Sequence, residues 1–145
     1  MSETANIRTA LDTQLATVTG IPATDTWGEE NVGFKPAVGT SHLTRRLAFD
    51  PDVPLEAPAS MTRILRSGVF EVRLKVPPLD GTDTVDALAL AILQSFPYGK
   101  DLTSGATTLS IPRGSRRWGG GLDDDKAWYV VLVEIRWELQ VGNTL

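Results

Sequence analysis

Along residues 127–141 every second position is apolar or aromatic: Ala127, Tyr129, Val131, Val133, Ile135, Trp137, Leu139 and Val141. A period of two is that of a β-strand, whose side chains alternate between two faces. The intervening positions change character, apolar at Trp128, Val130 and Leu132, then polar at Glu134, Arg136, Glu138 and Gln140. A strand of this span runs roughly 50 Å at about 3.3 Å per residue. A compact domain of this length is only about 40 Å across. One end of the strand is therefore expected to overhang its own globule, unless twist or a bulge shortens it. Overhanging backbone with a second apolar face calls for a neighbouring subunit.

The rest of the chain divides by the same reasoning. Ile7, Ala10, Leu11, Leu15 and Val18 keep helical spacing, with Ser2 or Thr4 as cap, Gly20 as the left-handed stop and Pro22 beyond it, which predicts a helix over 4–18. Residues 23–40, rich in Gly and Pro, read as an extended loop around Trp27 and Phe34. Leu43, Arg45, Leu47 and Phe49 give a strand near 42–49, after which Pro51, Pro54 and Pro58 break regular structure over 50–60. A second strand carries Phe70, Val72, Leu74 and Val76 on one face and ends at Pro77-Pro78. Thr82 or Asp83 caps a second helix striped by Val85, Leu88, Ala89, Ile92, Leu93 and Phe96, and Pro97 and Gly99 close it. Leu109 and Ile111 mark a short third strand, and residues 113–126 form a Gly-rich charged loop before the last strand. The order is helix, loop, two strands, helix, two strands. It predicts an α+β fold, a mostly antiparallel sheet with two helices on one face and a long C-terminal strand, as one domain over 1–145.

Composition narrows the function. The chain has 145 residues, 41% hydrophobic and 22% charged, ordinary values for a soluble domain with a real core. A net charge of −4 argues against a general nucleic-acid binder. The absence of cysteine excludes disulfides, thiolate catalysis and Cys-based metal sites. The first fifteen residues lack the apolar core of a secretory signal, and the longest apolar runs, 87–93 and 127–133, are far short of a membrane span. Cytosolic synthesis is the expectation.

Candidate chemistry is thin. The single histidine, His42, opens a strand, and adjacent Ser41 falls on the opposite face, so a surface or interface imidazole is favoured over a catalytic one. Asp123, Asp124 and Asp125 follow Gly119, Gly120 and Gly121 without the alternation or closing Glu of a calcium loop, and a solvated hairpin turn is favoured. Those glycines also lack the Lys-Ser/Thr ending of a phosphate-cradling loop. Arg113, Arg116 and Arg117 beside Trp118 suit a protein interface better than nucleic acid, with a plain solvated loop equally open. Asp80, Asp83 and Asp86 could pass for a nuclease cluster, but Asp83 and Asp86 read as helix-start residues and no catalytic Lys lies among them. No catalytic, cofactor or metal residue is assigned. The expected contact residues are Trp128, Val130 and Leu132 on the last strand, with Arg116, Arg117 and Trp118 as loop anchors. The two loops, 50–60 and 113–126, are expected to be mobile in the free subunit and to order on assembly.

Ordered along the chain are Gly20-Ile21-Pro22, Trp27, Glu30-Asn31-Val32, Phe34-Lys35-Pro36, Gly39-Thr40 and His42-Leu43-Thr44-Arg45. Then come Ser67-Gly68-Val69-Phe70-Glu71-Val72, Pro77, Gly81, a helix over 87–96 ending Phe96-Pro97-Tyr98-Gly99, and finally Trp128-Tyr129, Val131, Val133 and Ile135-Arg136-Trp137. This series resembles small phage tail terminator proteins, also called tail completion or minor tail proteins, over nearly the whole chain. His42 departs from the pattern, where an aromatic is common, and residues 50–60 and 61–66 fit it poorly. The resemblance implies no catalytic motif and no cofactor. It implies a virion protein at the head-proximal end of the tail, assembled in the host cytoplasm. As such it forms a ring, usually of six subunits, that caps the tail tube, stops its polymerisation and meets the head connector. Its implied partners are its own copies, the tail-tube protein and the connector. The resemblance further implies that DNA passes through the channel without specific binding and that no membrane is involved. Another neck, connector or tube component is the nearest alternative, and a phage nuclease or DNA-binding protein a distant one.

Overall fold

Ser2 accepts a hydrogen bond from the Ala5 amide at 3.1 Å and so satisfies one orphan donor of the first helix, α1 (Glu3–Ala16). Its Ile7, Leu11 and Leu15 are fully buried, and Gly20 takes the left-handed conformation at φ 86° that turns the chain away. The computed structural model describes residues 2–22, 27–29, 41–54, 63–77, 83–122 and 128–142. Phe34, Pro58, Pro78, Thr82 and the triplet Asp123, Asp124 and Asp125 lie outside them.

The strands are β1 (Trp27–Glu29), β2 (His42–Phe49), β3 (Val53–Pro54), β4 (Arg63–Val76), β5 (Asp101–Ser104), β6 (Thr107–Ser110), β7 (Arg116–Leu122) and β8 (Tyr129–Gly142), with helix α2 (Asp83–Ser95) between β4 and β5. They form one sheet in the order β1-β2-β4-β8-β6-β5, with β3 added on β4 and β7 on β8. Among the described residues only the β1–β2 pair is parallel. The odd positions of β8, Val131, Val133, Ile135 and Trp137, are fully buried and join Leu43, Phe70, Val72 and Leu74 on one face. Both helices close that face with Ile7, Leu11, Leu15, Val85, Ala89 and Ile92, so the α+β architecture and its two-helix layer are as the pattern predicts. Gly68 lies where this sheet is tightest: a Cβ there would collide with the Ala48 carbonyl and stand 2.7 Å from the Trp137 ring.

Several expectations are corrected. The long strand does not overhang alone, because β4 is equally long and pairs with it from Arg63↔Gly142 to Val76↔Tyr129. That strand starts at Arg63 rather than near Phe70. Trp27 is not in a loop: β1 runs beside β2 (Trp27↔Leu43). Its side chains explain this, since the Trp27 indole donates to the Pro22 carbonyl at 2.8 Å and Arg45 reaches both the Gly28 carbonyl (3.1 Å) and Asp12 (2.7 Å). The proline segment contains β3, paired Val53↔Leu65 and Pro54↔Ile64 at the sheet edge, where a missing backbone donor is tolerated. Arg66 anchors it, donating to Asp52 at 3.1 and 3.0 Å and pairing with Glu3 of α1. That hydrogen bond lowers the Asp52 pKa from its ordinary value and, with Glu3, raises that of Arg66. β5 was hidden because Leu102 is its only apolar residue; it pairs with β6 across a turn at Gly105 (φ 58°).

Candidate interaction surface

The largest correction concerns residues 113–126. Residues 116–122 are not a loop but strand β7, antiparallel to β8 from Arg116↔Glu134 to Leu122↔Tyr129. Glycines mask the pattern. Register shifts between Trp118 and Gly121, and a side chain at Gly120 would collide with the Tyr129 ring. All seven residues of β7 are exposed, and among the described residues no strand pairs with its other edge.

Cross-strand register defines the outer face, the one away from the helices. One row runs Arg46, Glu71, Glu134, Arg116 across β2, β4, β8 and β7. Arg46 stands 3.6 Å from Glu71 and Arg116 3.2 Å from Glu134, so two like charges at the centre are each flanked by a guanidinium. The next row is Thr44, Arg73, Leu132, Trp118, and the one after it His42, Lys75, Val130, Gly121. Leu132 and Val130 are half-buried between these neighbours rather than covered by a helix.

Trp118 is the centre of this surface. Its indole donates to Glu134 at 2.7 Å, and the Arg116 guanidinium lies 4.3 Å over its ring. Arg116 also donates to the other Glu134 oxygen at 3.2 Å. One carboxylate thus holds both side chains, while the indole remains 42% exposed. Sequence reasoning missed Glu134 in this role, since only the β7–β8 register brings it beneath Trp118.

The expected contact residues separate. Arg116, Trp118, Val130 and Leu132 share the outer face. Arg117 points to the other side and pairs with Asp86 of α2. Trp128 packs edge-on, at 4.6 Å, against His42 of that same outer face, and His42 is only 3% exposed. Of the surface or interface imidazole expected, the surface alternative is corrected: His42 is packed within the outer face of the sheet. Among the described residues no group of three His, Cys, Asp or Glu is placed to hold a metal ion, and no helix is long and apolar enough to cross a membrane.

A model of the family described as phage tail terminator protein matches residues 6–137. No curated protein matches the chain. One solved structure is similar over 100% of this chain and 98% of its own, with a TM-score of 0.66 and 19% identity, a likeness of fold.

Proposed function

The chain belongs to the phage tail terminator family, and on that premise we propose that it forms a ring, of six subunits in the usual arrangement, at the head-proximal end of the tail. Membership makes it a phage tail structural protein. The proposal adds that the ring caps the tube, ends its polymerisation and receives the head connector, by binding alone and without chemistry or cofactor.

The observation that carries this reading is the exposed strand β7 with its immobilised Trp118. A large indole is kept half in water by a carboxylate and a guanidinium, in a strand whose second edge has no partner among the described residues. Natural sheets normally blunt or cover such edges. Trp and Arg are also the residue types enriched where interfaces hold most of their energy. In a closed ring one patch meets a different patch on the next subunit, so a subunit exposes such surfaces until it assembles. Trp118, Arg116, Leu132 and Val130 form one of them.

Electron microscopy of lysates lacking the protein tests the role. Tails of abnormal length that fail to join heads are expected. Tails of normal length that fail to join heads would place the protein in the neck instead. Light scattering of the pure protein tests the ring, and a monomer that persists even with tail tubes added would overturn it.

A further inference from the structure

A second exposed aromatic, Tyr98, stands apart from β7 at the C-terminal end of α2. It lies on the turn Pro97-Tyr98-Gly99, which faces the turn Pro112-Arg113-Gly114. Gly99 (φ 87°) and Gly114 (φ 108°) supply backbone conformations that other residues resist. The Gly99 amide donates to the Ile111 carbonyl at 2.8 Å, and the Ile111 amide to the Lys100 carbonyl at 2.9 Å, so the two turns are fixed to one another. The Arg113 guanidinium lies 4.4 Å over the Tyr98 ring, and Tyr98 is 66% exposed. Arg45, Arg46, Arg66, Arg116, Arg117 and Arg136 each face a carboxylate of the same chain. Arg113 has no carboxylate partner among the described residues.

A carboxylate lies at the other end of the same helix. Asp83, at the start of α2, makes no ion pair among the described residues. It borders an open groove of about 540 Å³ lined by Thr84, Ala87, Leu88 and Ala91 of α2 and by Thr19 and Gly20 in the turn after α1. A helix of 13 residues is about 20 Å long, so cation and anion cannot meet within one subunit. The groove is apolar and bordered by an acid; the turn pair is aromatic and capped by a cation.

We propose that the occupant of this groove is a second copy of this chain: Tyr98 seats against Ala87, Leu88 and Ala91 of the next subunit, and Arg113 pairs with its Asp83. Each copy carries a net charge of −4, so copies repel at long range and a contact between them depends on local complementarity. The two patches differ and lie at opposite ends of one helix, which makes the contact head-to-tail and lets it close into a ring. Rigid turns reduce the ordering cost of docking. The contact rests on the ring reading above and deepens it.

Charge exchange in the full-length protein tests the pair. Arg113→Asp and Asp83→Arg are each expected to weaken self-association by at least about tenfold, measured by sedimentation with circular dichroism as a check of folding. Combined in one chain, they are expected to restore it. Single variants that assemble as the wild type does, or a folded double variant no better than either single one, would overturn the contact. A second measurement uses the absence of cysteine in the chain. Ala87→Cys with Tyr98→Cys is expected to give a disulfide-linked ladder on a non-reducing gel, because within one subunit the two sites lie beyond the roughly 7 Å that a disulfide spans. Either single variant is expected to give no ladder. A wild-type ring without cross-links in the paired-cysteine form refutes the contact and leaves the ring standing, as does cross-linking of these cysteines to the tail-tube protein alone. A chain monomeric at every concentration and on tail tubes refutes both.

Discussion

Glu134 decides how Trp118 is presented. Its two oxygens take the indole N–H and the Arg116 guanidinium, so the ring is oriented before any partner arrives. Trp118→Ala is expected to change the thermal midpoint little, as an exposed side chain supports little of the core. It is expected to weaken assembly by about 2 kcal/mol or more, measurable by sedimentation alongside thermal unfolding. The opposite profile belongs to Gly68, where a methyl group has nowhere to go between the Ala48 carbonyl and Trp137. Gly68→Ala is expected to destabilise the subunit by about 1–3 kcal/mol, seen as a lower urea midpoint. An unchanged midpoint would show that β2 and β4 separate more easily than their packing implies.

At the scale of elements, the short strand β3 depends on charged side chains for its place. β3 is tied to β4 and α1 through Arg66, with Asp52 and Glu3 as its acids. The carboxyl of Asp52 is held below its ordinary value of 3.8 by the Arg66 hydrogen bond. The pair therefore stabilises fully above that ordinary value and loses its contribution as pH falls through the depressed one. Asp52→Asn is expected to cost under about 1 kcal/mol at neutral pH, since the pair is partly exposed. The difference from wild type is expected to vanish in strong acid, as followed by denaturation across pH 2–7. β7 gives the second element prediction. Among the described residues it pairs on one side only, so part of its amides are expected to exchange hydrogen rapidly in the free subunit and slowly in the assembled ring. Strong protection before assembly would remove the argument from one-sided pairing.

Over the whole molecule the sheet has two unlike faces. The inner one is a continuous apolar layer under both helices; the outer one carries alternating charges broken by Leu132, Val130 and Trp118. Because no helix among the described residues covers Leu132, Leu132→Asp is expected to leave the subunit folded and to abolish assembly, the new charge being buried at the contact. Unfolding of the isolated variant would instead assign that residue to the subunit's own stability. Circular dichroism and light scattering on one preparation separate the two results.

The sequence by itself determined both helices, the 42–49 strand, the inner face of the last strand and the α+β class, because each rests on a local apolar period that one core must bury. His42 and residues 116–122 escaped it for a common reason. A histidine is buried by what lies beside it, here Trp128, and a Gly-rich strand has no period of its own and is defined only by the partner it pairs with. The same holds for the recognition surface. Trp118 stood out as an aromatic among arginines, but its partner Glu134 is sixteen residues away. Arg117, its neighbour in the chain, belongs to the opposite face. Side-chain alternation follows from the backbone of one strand; register between strands follows only from packing the whole sheet, and it is register that assembled this surface.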